Sequence, residues 1–299
     1  MPGRYVAHPA VVRARTRVLG TASFPELAPS PRSQVASDML PIHHDALVAS
    51  LATHGYALAT LDRPLTGSEV KQFGERFGAL VPERDAAVQT FVTDNVLLIL
   101  NAEYHGTRDV SLEPFSDGGL RLHTESSTRP AQEQPWLVIL SCVSHGLPGR
   151  GLQTLVVRSQ AILDRLGPKD ADVLTRIRVD VPGSPPMLRS EPQGLVLAVR
   201  DFGEPMYWTG DVSDPAVVQH ALDRLWLAAY DPDLLCGVSW LSPTLLVIDN
   251  TRVLHGRNGA SAGMRNGRRL QRVRVVRCPG EEPACGRSGG FPPPPLMGR

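Results

Sequence analysis

Apolar and polar positions follow two different periods along this 299-residue chain, and the change of period organises it. Residues 44–54 (HDALVASLATH) place apolar side chains at helical spacing, and Gly55 stands where a helix stop belongs. YALATL (56–61) reads as a short strand. Thr66-Gly67-Ser68-Glu69 has the form of a capping box, in which Thr66 takes the amide proton of Glu69 and Glu69 bonds back. It predicts a helix to about Arg76. The pattern then becomes strand-rich: NVLLILNA (95–102), PWLVILSCV (135–143), LQTLVVR (152–158), GLVLAVRD (194–201), PTLLVIDN (243–250) and LQRVRVVR (270–277) are short, β-branched and bounded by turn residues. Two helical patterns interrupt them, RSQAILDRLG (158–167) and DPAVVQHALDRLWLAAY (214–230), the second opened by Asp214 as N-cap and Pro215 at the first helical position.

Many strands with peripheral helices predict a mostly β chain of the α+β class, built as a double-stranded β-helix (jelly roll) rather than a wound parallel sheet. Residues 1–35, rich in Pro, Arg and Ser, are expected to form an irregular arm. Residues 36–278 then make the jelly-roll domain with helical insertions. From Pro279 the Pro/Gly-rich sequence cannot bury a core, so 279–299 is expected to be a disordered tail. No internal repeat and no phosphate-cradling glycine loop is present.

Composition narrows the class of ligand. An apolar share of 42% suffices for a sizeable core, and the formal net charge is +1. That balance gives no footprint for nucleic acid or an anionic membrane, so the expected partner is a small molecule. The four cysteines (Cys142, Cys236, Cys278 and Cys285) form no CxxC pair, and Cys142 and Cys236 lie in apolar runs. They point to a reducing, cytoplasmic setting. The N-terminus lacks the apolar core of a secretory signal, and every apolar stretch is far shorter than the ~20 residues of a membrane span.

The segment richest in chemistry is Arg121-Leu122-His123-Thr124-Glu125. On an extended strand, residues two apart share a face, so His123 and Glu125 can reach one metal ion while Thr124 points away. Two histidines and one carboxylate occupy one face of an octahedral ferrous ion and leave positions open for co-substrate and O₂. His255 is the best third ligand: it follows the apolar run Leu245–Ile248 and a turn at Asp249-Asn250. Singly, a His-x-Glu tripeptide or a histidine at a strand end is more often a surface or core residue than a ligand. Arg268 and Arg272 follow, four apart. A guanidinium neutralises a carboxylate through two parallel bonds. Alternation puts Arg272 and Arg274 on one face, so some arginines of this run form a solvated edge. His43-His44 and His145 lack a carboxylate at strand spacing and are read as surface or packing residues.

Together, HTE, a strand ending in IDN-x₃-LHGR, and R-x₃-R resemble the taurine dioxygenase/clavaminate synthase superfamily of iron(II)/2-oxoglutarate oxygenases. The HTE form resembles the clavaminate synthase branch, which includes amino-acid hydroxylases of antibiotic pathways. The similarity covers roughly residues 44–277, with VKQFGERFG (70–78) similar to an early helix and turn of such enzymes. The resemblance implies His123, Glu125 and His255 as ligands of Fe(2+). It implies Arg268 as partner of the far carboxylate of 2-oxoglutarate, with Arg272 beside it and Thr154 as a further contact. The family's Gly-Gly-Asp/Arg-Thr is here Gly-Leu-Gln-Thr (151–154). It further implies consumption of 2-oxoglutarate and O₂, release of succinate and CO₂, and hydroxylation of an unactivated C–H. Desaturation or ring closure is the family alternative, and Glu125 fills the position that halogenation needs for a halide. The expected substrates are an amino acid, a cyclic dipeptide or a carrier-bound aminoacyl group. Asn101–Gly106, Leu112–Leu120, and Asp201, Phe202, Tyr207 and Trp208 are candidates for shaping or covering the pocket. Two other classes stay open, a zinc hydrolase on the same three ligands and a non-catalytic jelly-roll binding protein.

Overall fold

Several strands of this chain read as unbroken apolar runs because both of their faces are covered. A computed structural model describes residues 2–29, 35–40, 44–101, 110–116, 118–145, 152–203, 205–259 and 268–277. Its strands are β1 (Gly3–Tyr5), β2 (Tyr56–Thr60), β3 (Ala79–Leu80), β4 (Val92–Thr93), β5 (Leu97–Asn101), β6 (Leu120–His123), β7 (Leu137–Ser144), β8 (Gln153–Arg158), β9 (Ile177–Val179), β10 (Leu188–Glu191), β11 (Gly194–Leu197), β12 (Met206–Gly210), β13 (Cys236–Ser239), β14 (Thr244–Asp249), β15 (Val253–Arg257) and β16 (Arg269–Val276). Its α-helices are α1 (Pro9–Gly20), α2 (His44–His54), α3 (Gly67–Glu75), α4 (Ser159–Leu163), α5 (Pro168–Arg176) and α6 (Pro215–Ala229). No helix among the described residues is long and apolar enough to cross a membrane.

Two antiparallel sheets face each other as the predicted double-stranded β-helix. The larger runs β2-β14-β7-β16-β5-β4, with β3 also on β16, and the smaller runs β13-β8-β15-β6. Alternation sorts each strand between layers. Val138 and Leu140 of β7, Leu246 and Ile248 of β14, and Val156 and Val238 of the small sheet fill the space between the sheets. The intervening Leu137, Ile139, Leu245 and Val247 pack outward under Leu47, Leu51, Val70 and Phe73 of α2 and α3. On the far side, Leu122, Leu155, Val157 and Leu254 pack outward under Val11, Val18, Leu222 and Leu225 of α1 and α6.

The predicted helices at 44–54 and 214–230 form, the second with the Asp214 side chain accepting from Ala216 N at 2.8 Å. The capping box forms as well: Thr66 Oγ1 accepts from Glu69 N, and Glu69 Oε2 accepts from Thr66 N at 2.7 Å. The expected helix over 158–167 is shorter. It stops at Leu163, and Gly167-Pro168 opens a second helix, α5, that helical spacing alone did not separate. GLVLAVRD is a strand only to Leu197, and its remainder runs beside β6, where Val199 O accepts from Thr124 N at 2.8 Å.

The irregular arm is a correction. Residues 1–35 include β1, paired with β12, and the twelve-residue α1. Val11 and Val18, two turns apart, bury one stripe of α1, while the arginines between them hid that stripe in the sequence. One of those arginines is structural. Arg15 Nε lies 2.7 Å from the buried Asp201 Oδ2, Tyr230 Oη donates to the same oxygen at 2.7 Å, and Leu122 N donates to Tyr230 Oη at 3.2 Å. Asp201 N in turn donates to Leu122 O at 3.0 Å. The arm is thus fastened to the back of β6. Residues 279–299, with Cys278 and Cys285, lie outside the described residues; Cys142 is buried and Cys236 half-buried, both as free thiols.

Asp201→Ala leaves the Arg15 charge without its counter-ion and the Tyr230 hydroxyl without its acceptor. The expected result is a loss of about 3 kcal/mol in urea unfolding, the usual cost of breaking a buried pair from one side.

Candidate metal centre

Two strand ends and one turn bring the three candidate ligands together. His123 is the last residue of β6 and stands opposite His255 in the β15 ladder. Their rings approach to 4.3 Å between centroids. Between His255 and Arg257 the register slips, so two residues of β6, Arg121 and Leu122, oppose Gly256 alone on β15. Gly256 permits that approach, since a Cβ there would lie 2.6 Å from Leu120 O. Glu125 lies beyond the end of β6, so strand periodicity does not deliver it. The Asn250 carboxamide does: Glu125 N donates to Asn250 Oδ1 at 2.7 Å, and Asn250 Nδ2 donates to Glu125 O at 3.1 Å and to Pro135 O at 2.8 Å. Ser126 then takes a left-handed conformation (φ 58°) and turns the chain away. Ligand atoms of His123, Glu125 and His255, all buried, lie within 4.8 Å of one another.

The protonation states suit a cation. His123 Nδ1 sits 2.8 Å from Arg121 O, so that nitrogen carries the proton and donates, leaving Nε2 bare 4.0 Å from Glu125 Oε2. Burial, then the neighbouring His255 and Arg200, hold His123 well below the usual imidazole range. Burial, with Arg272 and Arg200, presses His255 down to about 4 against the pull of Glu125. Burial alone would raise Glu125, but Arg272 and Arg274 outweigh it and hold the carboxyl well below its usual range. Near neutral pH the cluster is two neutral imidazoles and one anion, the ligand forms a metal requires. His255 Nδ1 is buried without a hydrogen-bond partner. The donor set therefore fits a divalent ion, and softer thiolate is absent from it.

The arginines divide their work. Arg272 and Arg274 share the inter-sheet face, as alternation predicted. Arg272 Nη1 lies 3.0 Å from Glu125 Oε2 and Arg274 Nη1 3.4 Å from Glu125 Oε1. Their other nitrogens reach Glu83 Oε2 at 3.3 and 3.0 Å. Arg272, expected beside Arg268 on a co-substrate, is thus engaged with Glu125 and Glu83. Arg268 differs: it is 5% exposed and its Nη1 has no hydrogen-bond partner. Burial and the charge of Arg257 press its pKa downward. Thr154 lies opposite Arg257 in the ladder, two residues from Val156 opposite His255, so all four face the other sheet. Thr154 Oγ1 accepts from Trp240 Nε1 at 3.0 Å.

The sequence of residues 186–274 matches the family described as "Taurine catabolism dioxygenase TauD, TfdA family". That match spans 89 of the 299 residues, the stretch from β10 through most of β16 that includes His255, Arg268 and Arg272. No curated protein matches it. Among solved structures, asparagine oxygenase in complex with Fe(II), 2S,3S-3-hydroxyasparagine and succinate is similar at 16% identity and TM-score 0.57, over 89% of this chain and 90% of that one. The non-heme iron oxygenase OrfP in complex with Fe and alpha-ketoglutaric acid is similar at 17% identity and TM-score 0.59, over 91% and 93%. PvcB from Pseudomonas aeruginosa is similar at 19% identity and TM-score 0.56, over 79% and 82%.

In this chain the expected cover formed by Asp201, Phe202, Tyr207 and Trp208 does not exist as one group. Asp201 is buried behind β6, and Trp208 is core, its ring resting on Gly3. Tyr207 alone of the four is largely exposed, at 48%. The loop before β6 is instead held by Arg257, which donates to carbonyls of Glu113, Pro114, Ser116 and Gly118. Residues 102–106, Asp117, His43 and 149–151 lie outside the described residues; His44 rests on Phe77, and His145 is exposed. Sequence reasoning missed Glu83, which carries no motif, and read Asn250 only as part of a turn.

Asn250→Ala removes the clamp on the Glu125 backbone without touching a ligand atom. Titration with divalent metal is expected to show affinity lowered about 10- to 100-fold, with the circular dichroism of the fold retained.

Proposed function

We propose that this chain is an iron(II)- and 2-oxoglutarate-dependent oxygenase that hydroxylates an unactivated C–H of an amino acid or of a molecule derived from one. The observation that carries the proposal is the pairing of a buried His-Glu-His cluster with a buried guanidinium, Arg268, that has an unspent donor. A buried cation of this kind calls for an anionic partner. A dicarboxylic keto acid supplies one at the far end when its near end meets a metal.

His123, Glu125 and His255 would hold the ferrous ion. Arg268 would take the far carboxylate of 2-oxoglutarate in charge-assisted bonds, with Thr154 beside it. When bound, iron with 2-oxoglutarate supplies the activation of O₂ and the oxidation of C–H, with succinate and CO₂ as co-products. The chain's own part is placement. Asn250 fixes the backbone of Glu125, Arg272 and Arg274 keep its carboxylate ionised, and the apolar layer between the sheets excludes water. Hydroxyasparagine in one similar structure and (3S)-hydroxy-L-Arg in OrfP support an amino-acid substrate. A free amino acid, a cyclic dipeptide and a carrier-bound aminoacyl group all fall within that class.

Two measurements test the reading. Screened against those three substrate types, the iron-loaded protein is expected to release succinate with one of them, and Glu125→Ala and His255→Ala are expected to abolish that release while remaining folded. Wild-type turnover by either variant would remove the proposed ligand set. Arg268→Ala is expected to raise the 2-oxoglutarate requirement about 10- to 100-fold with little change in metal affinity, since it deletes a charge-assisted anchor. An unchanged requirement would return the role to another arginine.

A further inference from the structure

An indole nitrogen can only donate a hydrogen bond, whereas a threonine hydroxyl both donates and accepts. Trp240 Nε1 stands 3.0 Å from Thr154 Oγ1, so the oxygen is the acceptor there and its own proton must point elsewhere. Among the described residues no acceptor takes that proton. Both side chains are buried, Trp240 at 2% exposure and Thr154 at 5%. The indole is held firmly. It follows the last residue of β13, whose Val238 and Ser239 pair with Thr154 and Gln153 of β8. Ser239 N donates to Glu26 Oε2 at 3.1 Å, and Gln153 Nε2 donates to Glu26 Oε1 at 2.6 Å.

The direction left to the hydroxyl is the inter-sheet space that His255 also faces. A second unspent donor, Arg268 Nη1, is buried as well, and Arg257 links the two: it stands opposite Thr154 in the ladder and lies close enough for its charge to act on Arg268. Two buried donors without acceptors, in a region made positive by two guanidinium groups, describe an anion seat.

We propose that Trp240 is a positioning residue, whose indole N–H turns the Thr154 hydroxyl into a dedicated donor for a carboxylate of 2-oxoglutarate. The proposal rests on the co-substrate reading given above. Without the indole, the hydroxyl can rotate, donate to other groups or accept from water, and its bond to the anion loses its fixed direction.

The test is anaerobic calorimetric titration of 2-oxoglutarate into the Fe(II)-loaded protein, with Trp240→Phe, Thr154→Val and the double variant. Thr154→Val is expected to raise Kd about 10- to 100-fold and Trp240→Phe roughly five- to tenfold. The double variant should match Thr154→Val within about twofold, because the indole acts only through the hydroxyl. Wild-type affinity in Trp240→Phe, or additive effects in the double variant, would overturn the proposal while leaving the co-substrate reading intact. No binding by the wild-type protein would overturn both. Should Trp240→Phe fail to fold, the indole N–H resonances of the ¹⁵N-labelled Zn(II) protein give the answer. The resonance displaced by Thr154→Val is expected to move on saturation with 2-oxoglutarate, and its immobility would overturn the proposal.

Discussion

A carboxylate removed from water must be compensated where it lies, and Glu125 is such a group. It is 8% exposed and ionised, with neutral imidazoles on one side and Arg272 and Arg274 on the other. Much of the surrounding architecture answers to this one buried charge. Those two arginines stand on alternate positions of β16 and are themselves balanced by Glu83. The result is two cations against two anions, with Glu125 left one open flank facing two nitrogen lone pairs. A divalent ion placed there meets an acid group that is already deprotonated and already aimed.

The position of that acid group depends on the backbone as much as on charge. Asn250 bonds both the N–H and the C=O of Glu125 and also the carbonyl of Pro135. It therefore ties the turn after β6 to the segment entering β7 and to the turn between β14 and β15. The same β14–β15 turn leads directly to His255. Spacing between ligands distant in sequence is thus set by one carboxamide and one bulged ladder, both in rigid, buried backbone.

Much of this was legible in the sequence where a single period or motif governed the outcome. The apolar runs 135–143 and 243–250 became central strands, and the capping box at Thr66 formed. His123, Glu125 and His255 converge, but strand alternation does not account for Glu125: β6 ends at His123, and the placement comes from Asn250. What stayed hidden was encoded by pairs distant in sequence. The amphipathic face of α1 consists of Val11 and Val18 amid arginines, and the role of Arg15 appears only when Asp201 is beside it. The destination of Arg272 likewise depends on Glu83 and Glu125, which periodicity cannot join to it.

The first helix carries a consequence for how the chain can be shortened. Because Arg15 neutralises Asp201 directly behind the strand that presents His123, the opening twenty residues serve as a back wall for the His-Glu-His cluster. Cleavage in the stretch that follows Gly20 would detach a cation rather than a loose leader. The damage would then reach the imidazole through the outward face of β6, where Leu122 N meets Tyr230 Oη.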